Sequence, residues 1–508
     1  MTHIIFLFIL SMLLAVAAIH RAMILALKFK IADQPGGHKQ HDMSTPFVGG
    51  VGIYTVLLIF LITIYIDHPD QELKWFVLGI CSTIIFITGF VDDLIRLGHK
   101  IRLVIQSIAA LIMILAGGVV LSNLGVLFSG AFTVSLGWLE IPFTVFATLG
   151  VINALNMIDG IDGLSGVVSL ISLTLIGFLV LIAGDAASLT LVTLLAGGLI
   201  GFLYFNLRYS SQRRARVFLG DNGSMLLGFI FSWLLIDLSQ GTNQVMTPVT
   251  ALWLFSVPLM DTASVMLRRI RRKASPFAAD NNHLHHILLN AGFRVEDAVF
   301  VIGSLQLLLG TIGLAGLLLQ LPEFIMFASF LLVYFAYYYL TSRPWYFISL
   351  LRHFHTFLGL APVKYQDLFL GSYTAREAEE LVKKACKILG PGLDSWVHVF
   401  ERQSQDNTLS YAVVINIRLT GEEDVAEEDI KRYIARMEQQ MMAEYGILVR
   451  QFIDRSSKNE RRLHAGKSPA ERRFFERRHP SQRILLLEVM RDSVESSQSA
   501  EAETETDS

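Results

Sequence analysis

The chain has 508 residues, 53% of them hydrophobic and 17% charged, with a mean hydropathy of +0.51. That balance excludes a soluble globular protein and reads as a multi-pass membrane protein. The formal net charge of −2 averages basic loops with an acidic tail, so its sign identifies no partner and no nucleic acid is expected. Cys81 and Cys386 form neither a metal spacing nor a disulfide framework.

The first apolar run, residues 4–27, has no Lys or Arg before it and is followed by Lys28 and Lys30. It reads as an uncleaved span with its N-terminus on the periplasmic side. Further runs long enough to cross a bilayer lie at 48–66, 74–91, 102–121, 142–157, 164–183, 189–206, 224–240, 246–267, 297–319 and 322–341, about eleven spans in all. The connections after odd-numbered spans hold nearly all the positive charge: Lys28, Lys30 and Lys39; Arg96, Lys100 and Arg102; Arg208, Arg213, Arg214 and Arg216; then Arg268 through Lys273 and Arg294. By the positive-inside pattern these connections are cytoplasmic, and an odd span count leaves the C-terminus there too.

After about Arg343 the apolar runs stop. Residues 343–454 read as a small cytoplasmic α/β domain, with helices over 375–389 and 426–445 and strands over 395–403, 409–419 and 447–453. Residues 455–508 read as a basic segment followed by an acidic, Ser-rich disordered tail. The expected fold class is therefore an all-α polytopic membrane domain over 1–342 with a small α/β appendage.

Four polar clusters stand out, and the derived topology puts each on the cytoplasmic side. The first is Asp92-Asp93, ending the third span, with Arg96, Lys100 and Arg102 after it. Neighbouring helical residues point about 100° apart, so the two carboxylates should face different partners. The second is Asn153-Ala-Leu-Asn156-Met-Ile-Asp159-Gly160-Ile-Asp162-Gly163, where polar side chains recur every third residue at the end of a span. Asn pairs can simply glue helices together, but carboxylates at membrane depth are costly and are functional candidates.

The third cluster is Phe218-Leu219-Gly220-Asp221-Asn222-Gly223-Ser224, opening the eighth span. Asp221 alone reads as a helix N-cap; beside the other clusters it becomes a metal ligand, since Mg²⁺ takes one or two protein carboxylates plus substrate phosphate oxygens. Phe218 could lie against a base or sugar, although a lone aromatic more often packs. The fourth is Ser275-Pro276-Phe277 through Asp280 to His283, His285 and His286, beside a basic run. No fourth zinc ligand accompanies the histidines, and imidazoles beside Arg and Lys suit phosphoryl oxygens better.

On these four ordered motifs the chain resembles the polyprenyl-phosphate N-acetylhexosamine-1-phosphate transferases, over residues 1 to about 342. The His-Leu-His-His form followed by Ala-Gly-Phe looks like the branch acting on N-acetylglucosamine 1-phosphate. The resemblance implies that UDP-N-acetylhexosamine and undecaprenyl phosphate are the substrates and that UMP is released, in the bacterial cytoplasmic membrane with the site facing the cytoplasm. It implies a Mg²⁺ cofactor, with Mn²⁺ as a substitute, held by Asp221 and Asn156. It places Asp162 near the uracil, Asp92 and Asp93 near the lipid phosphate, and His283, His285 and His286 with Lys100 at the pyrophosphate. Asn153 and Phe218 join the substrate-binding set, and Asp159 the catalytic set without a defined task. Arg96 stands where an extended acidic motif would carry a third acid. Self-association into a homodimer is left open. The alternative from another class is a polytopic transporter with an intramembrane acidic site.

Overall fold

The computed structural model describes residues 2–29, 45–67, 72–130, 132–209, 211–241, 244–271, 283–291, 293–343, 347–348 and 350–351, and four strands beyond them. The described chain is predominantly helical. The helices are α1 (Thr2–Lys28), α2 (Gly49–Asp67), α3 (Glu72–Ile95), α4 (His99–Leu115), α5 (Glu140–Ile158), α6 (Leu164–Ala183), α7 (Ala186–Asn206), α8 (Gly220–Asp237), α9 (Pro248–Leu254), α10 (Ser256–Arg271), α11 (Leu284–Asn290), α12 (Val295–Leu318) and α13 (Glu323–Thr341). The strands are β1 (Leu393–Gln403), β2 (Leu409–Leu419), β3 (Gln451–Asp454) and β4 (Arg483–Val489). The chain divides into two compact units, Met1–Ala279 with His283–Ile287 and Phe293–Arg343, and Asp280–Asn282 with Leu288–Gly292 and Pro344–Ser508.

Each apolar run of the sequence contains helix. Among the described residues, eight helices are long and apolar enough to cross a membrane, and a ninth crossing counts α9 and α10 together. The chain is thus a polytopic membrane protein. Two of the eleven expected spans fall outside that set. One is α4, with only 17 helical residues. The other is α8, whose apolar stretch is diluted by Asp221, Asn222 and Asp237.

Helix α8 is buried along most of its length and packs against α2, α3 and α5. Close approach makes this possible: a Cβ on Gly89 of α3 would lie 2.5 Å from the backbone of Asp221 and Asn222, so only glycine lets α3 touch the start of α8. The result brings the C-terminal end of α3 against the N-terminal end of α8.

The expected single span over 246–267 is instead two helices bent by 87° at Phe255. A break strands backbone groups where no water can satisfy them. Gln306 of α12, fully buried, takes them up: its Oε1 accepts from Val257 N at 3.0 Å and its Nε2 donates to Leu254 O at 2.8 Å. Pro248 at the first turn and the Thr247 side chain accepting from Thr250 N define where α9 begins.

In the second unit the strands form one antiparallel sheet in the order β1-β2-β4-β3. Strand β2 has the bounds expected of it, and β1 starts two residues earlier than its prediction. Strand β4 falls within the stretch 455–508, where no strand was expected, and its residues Leu485 to Glu488 pair with β2 on one side and β3 on the other. The helices expected over 375–389 and 426–445, Cys386, the basic run from 455 and the acidic tail lie outside the described residues.

Candidate active site

Three sequence clusters that are far apart along the chain meet at the start of α8. Asp93, at the end of α3, accepts from the backbone N–H groups of Asp221 at 2.9 Å and Asn222 at 3.1 Å, and from Asn222 Nδ2 at 2.6 Å. It therefore caps α8 from another helix, satisfying N–H donors that a helix start leaves without intrahelical partners. Asp92 turns elsewhere, to Arg102 Nη1 at 2.7 Å. The two adjacent carboxylates face different partners, as helical geometry requires.

Asp221 occupies the first turn of α8 and presents both oxygens to side chains. Its Oδ1 accepts from Asn156 Nδ2 at 2.6 Å, and its Oδ2 lies 3.4 Å from Arg102 Nη1. Asn156 also donates to Ser224 Oγ at 2.9 Å, which leaves its carbonyl oxygen as the free ligating atom. Asn153, one turn earlier, serves instead as glue: its Nδ2 bonds Leu149 O at 2.7 Å and reaches Gln106 Oε1 on α4 at 3.4 Å.

The turn after α5 carries the other two acids. Asp159 accepts from Ser165 Oγ and also feels the charges of Asp221, Asp93 and Asp162. Desolvation dominates, and with those like charges it pushes the Asp159 carboxyl up to about 8, against the smaller opposing effect of Ser165. Asp162 is paired with Arg208 Nε at 2.6 Å and accepts from Ala215 N at 3.1 Å, so it ties this turn to the connection between α7 and α8. Asn206 adds a second tie, accepting from Gly163 N at 2.6 Å and donating to Val217 O at 2.8 Å. Phe218 rests on Phe47, with ring centroids 5.8 Å apart.

The histidines form the facing wall. His283 and His285 are nearly parallel at 5.6 Å, and His285 lies 4.3 Å from His286. His283 Nδ1 is 2.7 Å from Asp261 Oδ2. His285 is only 1% exposed, yet among the described residues neither of its ring nitrogens has a hydrogen-bond partner. A Cβ on Gly160 would lie 2.2 Å from His285 Nε2, so this glycine is what brings the two walls into contact. Burial, reinforced by His286, pushes the His285 imidazole down to about 3, so it is neutral at physiological pH. His285 therefore offers an N–H donor and a lone pair and no positive charge.

The structure thus brings together Asp92, Asp93, Asn156, Asp159, Asp221 and His285, with Asp162 at one edge. Lys100 is exposed in the first turn of α4, and no hydrogen bond ties it to the described residues of the cluster. Ser275-Pro276-Phe277 and Asp280 lie outside the described residues. Arg102, Arg208 and Asn222, named in the sequence without a task, take part here, and Asn206 and Asp261 are participants the sequence did not single out. Asp261 carried the same signal as the acids it flagged, a carboxylate inside an apolar span.

The described residues contain no group of three or more His, Cys, Asp or Glu side chains that could hold a metal ion. The surroundings nonetheless fit a divalent cation completed by substrate oxygens. Among the described residues, Arg102 is the one cation bonded to this cluster's Asp92 and Asp221, and Asp93 adds negative charge beside them. On the same helices, α5, α8, α9, α10 and α13 border an apolar cavity of about 600 Å³, lined by residues including Phe143, Val151, Ala154, Met260, Ala263 and Phe330.

A family model described as glycosyl transferase family 4 matches residues 75–239. An undecaprenyl-phosphate alpha-N-acetylglucosaminyl 1-phosphate transferase of Escherichia coli strain K12 is 35% identical over 323 residues, 63% of this chain and 86% of the relative. A protein of the same name from Yersinia pestis is 35% identical over 356 residues, 70% of this chain and 94% of its own. Another, from Haemophilus influenzae, is 33% identical over 315 residues, covering 62% and 87%.

Proposed function

Because the chain belongs to glycosyl transferase family 4, we propose that it transfers N-acetylglucosamine 1-phosphate, or a related N-acetylhexosamine 1-phosphate, from the UDP-sugar to undecaprenyl phosphate. The products are UMP and undecaprenyl-pyrophosphoryl-sugar, the first lipid-linked step of a cell-surface polysaccharide. The single observation that carries this reading is the junction of an acidic wall with a buried histidine that has no hydrogen-bond partner among the described residues, on helices that also line an apolar cavity. Such a junction serves a reaction between a nucleotide pyrophosphate and a lipid phosphate.

In the reaction an oxygen of the polyprenyl phosphate attacks the sugar-linked phosphorus of the UDP-sugar. The new P–O bond forms as the bond to the UMP oxygen breaks, and UMP leaves with that electron pair. A phosphate monoester has its second pKa at about 6, so the nucleophile is already deprotonated at neutral pH. The task left to the protein is to align two anions that repel, and direct displacement needs no covalent enzyme intermediate. Mg²⁺, or Mn²⁺ in its place, held by Asp221 and Asn156 supplies charge neutralisation on the phosphoryl oxygens when bound.

The chain's own groups divide the remaining work. Asp93 fixes the start of α8 so that Asp221 faces Asn156. Arg102 holds Asp92 beside the lipid phosphate. His285 donates its N–H to the pyrophosphate, with His283 and His286 adjoining. Asp162 and Phe218 border the nucleotide, Asn153 sets α5 against α4, and Lys100 reaches the outer phosphate oxygens. Asp159, held neutral, donates a hydrogen bond instead of adding charge. The isoprenoid chain occupies the apolar cavity, whose Val151 and Ala154 precede Asn156 on α5.

The membrane arrangement follows the same reading: eleven spans over 1–342, N-terminus periplasmic, site cytoplasmic, in the bacterial cytoplasmic membrane. Residues 343–454 form a cytoplasmic α/β domain, and 455–508 a basic segment and tail that includes β4. The transporter alternative drops out, because the polar groups gather at helix ends where a lipid phosphate meets a soluble nucleotide, and the relatives are transferases. The test is UMP release by the detergent-solubilised full chain with undecaprenyl phosphate, Mg²⁺ and a panel of UDP-sugars. Turnover with UDP-GlcNAc or another UDP-N-acetylhexosamine is expected. No turnover with any of them would sink the proposal.

A further inference from the structure

Asp261 lies in the middle of α10, is 2% exposed and sits among apolar side chains, where a carboxylate costs several kcal/mol unless it is compensated. Three donors compensate it. Oδ2 faces His283 Nδ1 at 2.7 Å, while Oδ1 accepts from Leu284 N at 3.1 Å and from Tyr337 OH at 2.7 Å. Leu284 opens α11, so one carboxylate both caps that helix and grips the histidine just before it. Tyr337, 9% exposed on α13, pins the second oxygen and leaves the carboxylate one orientation.

From this geometry we infer that Asp261 is a positioning residue for the transferase, with Tyr337 as its anchor: together they fix the tautomer and ring plane of His283. The inference rests on the transferase reading above. A carboxylate on Nδ1 makes that nitrogen the protonated one and leaves Nε2 to face substrate, the arrangement that a carboxylate imposes on ligating histidines generally. The His283 plane matters beyond His283. The His285 ring lies 10° from parallel to it, and among the described residues neither of its nitrogens has a partner, so the pair presents a preset surface to a pyrophosphate. Among the described residues, the groups facing His283 are Asp261 from α10 and His285 and His286 from α11, with Tyr337 of α13 bonded to the other oxygen of Asp261.

The test compares Asp261→Asn, Asp261→Glu, Tyr337→Phe and His283→Gln with the unaltered full chain in detergent, reading kcat and KM for each substrate and thermal stability. Asp261→Asn keeps an acceptor for Leu284 N and Tyr337 OH but turns an amide N–H toward Nδ1, which forces the opposite His283 tautomer. The expected result is a roughly 10- to 100-fold loss in kcat/KM for UDP-GlcNAc. The KM for undecaprenyl phosphate stays unchanged, and Asp261→Glu restores part of the loss. His283→Gln added to Asp261→Asn should cost little more, because the two act as a unit. Near-normal kcat/KM in Asp261→Asn, or a loss that adds fully to that of His283→Gln, would overturn the inference. If Asp261→Asn does not fold, Tyr337→Phe decides: a several-fold loss that His283→Gln masks supports it, and no loss overturns it. An inactive unaltered chain would instead count against the transferase reading.

Discussion

The acidic wall and the histidine wall solve the burial of charge in opposite ways. On the histidine side a single carboxylate, Asp261, is saturated by three protein donors, and no further cation is needed. On the acidic side Asp93 likewise has three donors, but among the described residues Asp159 has only the Ser165 hydroxyl, and Asp221 has one amide and a guanidinium nitrogen at 3.4 Å. Saturated carboxylates are building material, and undersatisfied ones are where a ligand supplies what the protein withholds. The histidine wall repeats the lesson in reverse, since His283 is engaged while the His285 nitrogens have no hydrogen-bond partner among the described residues.

The largest expected effect comes from removing the most exposed need. Asp221→Ala should lower turnover by roughly a thousandfold or more while leaving expression and monodispersity intact. Steady-state UMP release checks this, and near-normal activity would move Asp221 out of the metal site and erase the contrast.

His285→Leu sharpens the same comparison from the other wall. Removing two buried, unpartnered nitrogens should leave substrate-free thermal stability equal or higher, while kcat/KM for UDP-GlcNAc falls on the order of a hundredfold. A variant that is less stable and fully active would make His285 a packing residue.

A smaller effect concerns Asp159. Its folded-state pKa, raised to about 8 from 3.8, means that the folded chain keeps a proton which the unfolded chain releases. The stability this contributes is fully present below pH 4 or so and is lost as pH rises through about 8. Melting temperatures measured without divalent cation should therefore fall across that window, by on the order of a few kcal/mol in stability. Asp159→Asn should flatten the slope; an unchanged slope would show that Asp159 is ionised throughout.

Much of this was legible along the chain because a membrane makes polar residues conspicuous. Each apolar run contains helix, and the clusters around Asp92, Asn156, Asp221 and His283 to His286 announce themselves by their cost. What was hidden depends on partners remote in sequence. That Asp93 caps α8 follows from contact with residues 128 and 129 positions later. The 87° break at Phe255 persists because Gln306, on another helix, replaces the lost backbone bonds. Asp261 was passed over because it stands alone, with its partners His283 and Tyr337 outside its own run. Strand β4 escaped notice because four apolar residues amid charge carry no periodicity long enough to read.

A divalent cation held by Asp221 would neutralise the pyrophosphate of the UDP-sugar. Mn²⁺ is paramagnetic, so ³¹P relaxation of UDP-GlcNAc bound to the full chain reports directly on that junction. Both phosphorus signals should relax strongly in the unaltered protein, and Asp221→Asn should abolish the enhancement at nucleotide concentrations that still saturate the site. Equal enhancement in the two proteins would contradict the claim that Asp221 holds the metal against the substrate.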